Sequence, residues 1–326
     1  MKAIAISRPG GPEVLEIVGR EKPAPDAGEI LVRVEAIGVN RPDVQQRRGL
    51  YPPPPGASDL PGLDIAGTIE AVGEGVDASR IGEKVCALAN GGGYAEYCAV
   101  PAVQAMPIPE GLSVVEGASL PEVFFTAWNN VVWLGRLAKG ERLMVQGGTS
   151  GVGIAALQIA RHLFDAETYA TAGSEEKRTV CRELGVKIAV DYHDADWPEQ
   201  IRAAAGGGGM DIILDGQAGP YTQKQLDLLA FDGRLVLIAS HLGETSVVNT
   251  RQLVRRRLTL TGSTLRPRSA EYKGRIASEL VEKVWPLLAD GTIRTRIHAV
   301  FAFDEMQQAH AMLDRNEQIG KIVVTV

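Results

Sequence analysis

Arg142-Leu-Met-Val-Gln-Gly-Gly-Thr-Ser-Gly-Val-Gly-Ile154 is the stretch that decides the fold. A short run of buried-strand character enters a glycine-rich turn. The turn opens a segment, Ile154 to Phe164, whose apolar residues recur at helical spacing. Against the pattern GxGxxG the matching positions are Gly148, Ser150 and Gly153, with serine replacing the middle glycine. The pattern alone is weak, but between a strand and a helix it reads as a dinucleotide-binding turn. Gly148 then permits the tight turn, Gly151 lets the backbone approach a pyrophosphate, and Gly153 clears the contact between helix and strand. The helix start at Gly151, Val152 and Gly153 offers N–H donors to phosphate oxygens.

The same rhythm continues outward. Glu167 to Thr171 reads as a strand, Glu175 to Leu184 as a helix, and Asp211 to Asp215 and Arg234 to Ile238 as further strands. Alternation of this kind predicts a doubly wound parallel sheet, α/β in class. At the end of the second strand an NAD site would carry an acid for the ribose diol. This chain has Ala172-Gly173-Ser174 there, followed by Glu175-Glu176-Lys177. Ser174 is placed to hydrogen-bond a 2′-phosphate and Lys177 to pair with it, while the two glutamates point to solvent. The expected cofactor is NADPH.

Upstream the pattern is different. Ile30 to Ile37 alternates with period two, and Gly67 to Gly73 and Lys84 to Leu88 are further strands of a small, partly open β-barrel. Tyr51-Pro-Pro-Pro-Pro-Gly56 is a stiff loop that no helix or central strand could contain. Downstream, a long helix from Ser269 to Ala289 and a strand from Lys321 to Val326 cannot bury a core of their own. They are expected to return to the barrel. The expected boundaries are 1–122 and 265–326 for the barrel domain and 123–264 for the nucleotide domain.

Composition narrows the function classes. A net charge of -6 and an aromatic content of 5% argue against a nucleic-acid or anionic-membrane binder. The only basic cluster, Arg251 with Arg255-Arg-Arg257, reads as a solvated or interdomain helix end. No apolar run reaches the ~18 residues of a membrane span, and the opening segment has no signal-peptide pattern. Cys86, Cys98 and Cys181 make no disulfide framework or CxxC pair and read as structural, which suits a reducing cytoplasm.

Gly38-Val-Asn-Arg-Pro-Asp43, the proline loop, Gly62-Leu-Asp-Ile-Ala-Gly67, Gly91-Gly-Gly-Tyr-Ala-Glu96, the glycine turn, Thr171-Ala-Gly-Ser174, Thr261-Gly-Ser-Thr-Leu-Arg266 and Ile319-Gly-Lys-Ile-Val323 together carry a resemblance. The chain resembles the zinc-free, zeta-crystallin-like quinone oxidoreductases of the medium-chain dehydrogenase/reductase superfamily, nearest their stress-inducible NADPH-dependent branch. The resemblance implies a GroES-like, partly open β-barrel catalytic domain, a Rossmann domain and a cleft between them. It also implies a homodimer paired through a Rossmann sheet edge, for which Leu258 to Gly262 is the candidate.

In the superfamily's zinc enzymes the ligand positions correspond to Asn40, Leu63-Asp64 and a residue near Glu122, which do not form a zinc donor set. No metal is expected. The acceptor must then tolerate negative charge unaided, as quinones do by delocalisation. The resemblance places Asn40 and Tyr51 beside the nicotinamide, with the Tyr51 hydroxyl donating to the acceptor oxygen. A role in holding the loop stays open for both residues. It also implies cofactor contacts for Thr126, Tyr192, Gln217, Ser240, His241, Leu242 and Asn316. His241 reads either as a proton donor or as an edge histidine; His162, His193, His298 and His310 read as packing or edge residues. The leading expectation is an NADPH-dependent quinone oxidoreductase. Enone or 2-enoyl-thioester reduction is the alternative chemistry, and an NADPH-binding sensor with little turnover is the alternative class.

Overall fold

A computed structural model describes residues 1–326. The chain divides into two compact units, Met1–Phe125 with Arg266–Val326, and Thr126–Leu265.

The second unit is built on a six-stranded sheet. Its spatial order is Ala189–Val190, Glu167–Thr171, Arg142–Val145, Met210–Asp215, Leu229–Leu237 and Thr259–Gly262. Every neighbouring pair is parallel. In chain order this is 3-2-1-4-5-6, the doubly wound Rossmann arrangement, in which ligands gather outside the carboxyl ends of the strands. Met144, Tyr169, Trp197, Ile201, Ile213, Leu226 and Leu235 form a buried core on the sheet. Each such apolar side chain contributes about 1.5–3 kcal/mol when fully buried.

The helix after the glycine turn spans Gly151–Phe164, starting earlier than the expected Ile154. Glycine and valine are poor helix formers, so the periodicity fades at this end. The Ser150 side chain outweighs that weakness by accepting a hydrogen bond from Gly153 N–H at 3.0 Å. The strand expected from Arg234 starts at Leu229. A π-helix over Trp128–Leu134 has no counterpart in the sequence reading.

The first unit centres on the strand Glu29–Val39. It pairs antiparallel with Asp64–Val72, Tyr97–Pro101 and Lys321–Thr325. Register shifts between Leu31 and Val32 and between Val34 and Ala36 are bulges that bend the strand and curl the sheet. The result is the GroES-like, partly open barrel. Ile30, Val32, Val34, Ile37, Ile65, Ile69 and Val324 fill it. The tail strand lies between Glu29–Val39 and Ile297–Ala302, the latter unforeseen from sequence. The expected helix from Ser269 to Ala289 is two helices, Ala270–Lys283 and Trp285–Ala289. Pro286 has no N–H with which to continue the ladder. No helix is long and apolar enough to cross a membrane.

The pairing register prepares the chemistry. Gly38 lies opposite Asp64 on one side and Val323 on the other, so Asn40, Asp64 and Lys321 converge at one end of the sheet.

Candidate active site

In the second unit the expected cofactor residues cluster outside the carboxyl ends of the parallel strands. Ser150 Oγ donates to Gly147 O at 2.9 Å, and the first intrahelical bond is Ile154 N–H to Ser150 O at 2.9 Å. The N–H groups of Gly151 and Val152 therefore precede the helical ladder and suit an anion. Gly148 is required by a close approach: a Cβ there would lie 2.7 Å from Ala170 Cβ and 2.9 Å from Cys181 Sγ. Thr171 fixes the turn, accepting from Gly148 N–H at 2.9 Å through its carbonyl and from Gly147 N–H at 3.1 Å through its hydroxyl.

Ser174 caps the helix Glu175–Glu183 by accepting from Lys177 N–H at 3.3 Å. Glu175 is paired with Arg178 and Arg182, which hold its carboxyl below the usual range and draw its charge along the helix. Arg178 also pairs with Asp191, a partnership that sequence reasoning missed. Its signal was only an arginine next to Lys177. Tyr192 follows Asp191, packs on His193 with ring centroids 4.5 Å apart, and stands over Gly173.

Asp215 was also missed. It is buried at the end of its strand and accepts from Gln217 N–H and Ala218 N–H, each at 2.8 Å. It thereby fixes the loop bearing Gln217, while burial raises its carboxyl above the usual value. The next loop is tied to the same place, His241 N–H donating to Gly216 O at 3.2 Å and Leu242 N–H to Gln217 O at 2.9 Å. Ser240, His241 and Leu242 are exposed. Thr126 begins this unit, its carbonyl accepting from Asn130 Nδ2 at 2.8 Å. The residues fit a dinucleotide: a turn of N–H donors, a serine and a lysine at the second strand end, and flanking loops held in place.

In the first unit the structure brings Asn40, Asp64 and Lys321 into one buried cluster. Lys321 Nζ donates to Asp64 Oδ2 at 2.8 Å and to Asn40 Oδ1 at 2.5 Å. Asn40 Nδ2 donates to Asp64 Oδ2 at 2.9 Å and to Gly38 O at 3.2 Å, so its amide is committed to these bonds. Glu122 N–H reaches Asp64 Oδ1 at 2.6 Å. The positions aligned with zinc ligands thus surround a carboxylate already saturated by an ammonium, an amide and a backbone N–H. That donor set does not fit a zinc ion, and no group of His, Cys, Asp and Glu elsewhere is arranged to hold a metal.

A second chain of bonds starts at Asp43. Asp43 accepts from Asn40 N–H at 2.8 Å, Gly62 N–H at 3.2 Å and Tyr94 O–H at 3.2 Å. Tyr94 meets His310 Nε2 at 2.8 Å, and His310 Nδ1 faces Arg47 at 3.1 Å. A guanidinium only donates, so His310 Nδ1 is the acceptor and Nε2 carries the proton, which it donates to Tyr94. Sequence reading gave His310 a packing role; it is fully buried and links Arg47 to Tyr94.

Burial, followed by the Arg47 charge, pushes His310 down to about 3 from 6.5. Burial pushes Asp43 up to about 6 from 3.8. The two act oppositely on acidification. Below pH 6.5 the unfolded chain binds a proton at His310 that the fold refuses, which costs stability; between pH 6 and 4 Asp43 favours the fold. His310 spans the wider window. Between pH 6 and 4 the two slopes oppose each other, so His310→Gln, which leaves Asp43 alone, should make thermal stability rise relative to the unaltered protein as the pH falls from 6.5 to 4. An unchanged slope in that variant would remove His310 from the account.

Tyr51 lies in the proline loop, with the Arg266 guanidinium carbon 5.4 Å from its ring centroid. Asn316 has a left-handed φ of 56°, tolerated by asparagine, and accepts from Arg41 Nη2 at 3.5 Å. Cys86, Cys98 and Cys181 are all buried, and burial raises each thiol.

A nucleotide-type turn in a Rossmann unit and a GroES-like barrel in the same chain define an oxidoreductase of the medium-chain class. Comparisons with known proteins agree. Residues 26–110 match the alcohol dehydrogenase GroES-like domain and residues 151–282 the zinc-binding dehydrogenase family. The quinone oxidoreductase of Rattus norvegicus is 31% identical, over 99% of this chain and 97% of that protein. A mycocerosic acid synthase-like polyketide synthase of Mycolicibacterium smegmatis is also 31% identical over 99% of this chain, which spans only 15% of that much longer protein. Among solved structures, a mycobacterial protein complexed with NADPH superposes with a TM-score of 0.89 at 27% identity, all of both chains being covered. The JamJ enoyl reductase superposes with a TM-score of 0.87 at 25% identity, over 99% of this chain and 98% of that one. The chain belongs to the quinone oxidoreductase family of the medium-chain dehydrogenase/reductase superfamily.

Proposed function

We propose that this protein is an NADPH-dependent reductase of quinones that works without a metal. The observation that carries the reading is the saturation of Asp64 by Lys321, Asn40 and the Glu122 N–H, where the zinc enzymes place their ligands. Without a Lewis acid the acceptor must carry developing charge itself, and a quinone ring does so.

NADPH, when bound, supplies the hydride. The protein supplies orientation and charge. The N–H groups of Gly151 and Val152 would receive the pyrophosphate, with Gly153 keeping the turn open, Ser174 and Lys177 would receive the 2′-phosphate, and Gln217 with Ser240 to Leu242 would border the nicotinamide side. Asn40 holds the loop entrance, and Tyr51 O–H donates to the acceptor oxygen as charge gathers on it. Reduction of an enone or 2-enoyl thioester is the second reading, favoured by the likeness to the JamJ enoyl reductase.

NADPH oxidation measured with quinones, enones and enoyl thioesters, with and without a chelator, tests the reading. Turnover confined to quinones and indifferent to the chelator is expected. Turnover confined to enoyl thioesters selects the second reading, and tight NADPH binding without any turnover selects the sensor. Tyr51→Phe is expected to lower kcat for quinones about 10-fold or more while changing NADPH affinity less than about 2-fold. An unchanged kcat would leave Tyr51 as loop packing.

A further inference from the structure

Five cations of this chain are buried: Arg47, Arg234, Arg266, Lys273 and Lys321. Three have a carboxylate in contact, Asp314 for Arg47, Glu141 for Arg234 and Asp64 for Lys321. Arg266 and Lys273 do not. Arg266 is 7% exposed, donating from Nε to Asn90 O at 2.9 Å and from Nη1 to Gln46 Oε1 at 2.9 Å. Its Nη2 is buried without a partner. Lys273 is fully buried; its ammonium bonds to Asn90 Oδ1 and, at 3.2 Å, to Arg266 O. All these acceptors are neutral. Glu122 acts on both cations through space and Asp43 on Arg266, without forming an ion pair with either.

Two adjacent buried cations with neutral partners are costly unless an anion completes them, and an orphaned buried donor calls for an explanation. Burial lowers Lys273 to about 8, as an incompletely compensated ammonium requires. The backbone makes room for the orphan nitrogen: at Gly91, φ +136°, a Cβ would lie 3.1 Å from Nη2. The Tyr51 ring lies against the same guanidinium.

We propose that Arg266, backed by Lys273, is an oxyanion-binding subsite beside Tyr51 that takes a carboxylate carried by the acceptor. The assignment rests on the reductase reading for its link to the acceptor, but the binding itself does not depend on turnover. A guanidinium offering unused N–H groups suits a planar carboxylate better than a neutral carbonyl. The favoured acceptors are therefore carboxylate-bearing electrophiles.

Calorimetric titration of the full chain with benzoate, and with benzamide as its neutral counterpart, tests this. Benzoate is expected to bind at least about 10-fold more tightly. Arg266→Met should abolish the preference and Arg266→Lys should retain part of it. Equal affinities in the unaltered protein, or an undiminished preference in Arg266→Met, would overturn the subsite. The unaltered-protein comparison stands even if a variant fails to fold. A protein that prefers benzoate but reduces no quinone keeps the subsite and loses the quinone reading. One that reduces quinones without preferring benzoate does the reverse.

Discussion

Replacing Lys321 by methionine is expected to destabilise the barrel unit by about 3–5 kcal/mol, the usual cost of leaving one member of a buried ion pair alone. The side chains of Lys321 and Asp64 are 4% and 0% exposed, so water cannot replace the ammonium. Methionine keeps the length of the side chain and removes the charge. Asp64 would lose one of its donors, and Asn40 Oδ1 would lose its partner. Adding Asp64→Asn should recover much of the loss, because the stranded charge disappears with it. Urea unfolding of the two variants measures both effects. A single variant within about 1 kcal/mol of the unaltered protein would show that this pair is compensated in some other way.

Lys177→Ala is expected to weaken NADPH by roughly 10- to 100-fold while changing NADH by less than about 2-fold, the difference a charged hydrogen bond to phosphate can make. The neighbouring charges explain why lysine should carry this effect. Arg178 is engaged by Asp191 and Glu175, and Glu175 is engaged again by Arg182. Fluorescence titration with each cofactor gives the two dissociation constants. Equal weakening of both would dissolve the assignment of Ser174 and Lys177 to the 2′-phosphate.

The Rossmann sheet was legible because its signals are local: a strand, a glycine turn and a helix lie within 23 residues, from Arg142 to Phe164. The end of the second strand was legible for the same reason. The barrel cluster was less so. Asn40 and Asp64 were singled out by resemblance, but nothing near them in sequence announces Lys321, which reaches them only through the pairing of the tail strand. Asp215 and Arg178 escaped because a capping carboxylate and an ion-paired arginine look, in sequence, like any surface charge. His310 escaped because its partners, Arg47 and Tyr94, lie far away in the chain. The break at Pro286 could have been read, since the proline was visible inside the expected helix.

The threading of the chain through the two units also sets an order of assembly. Thr126–Leu265 is continuous, and every strand of its sheet is available before residue 266 is made. The barrel's central strand lacks one of its three neighbours until residues 321–325 emerge, so Asp64 has no ammonium until then. The nucleotide-binding half can thus be complete while the other half still exposes a sheet edge and a lone buried-type carboxylate. Emergence of residues 321–325 pairs that edge and neutralises that charge in one event.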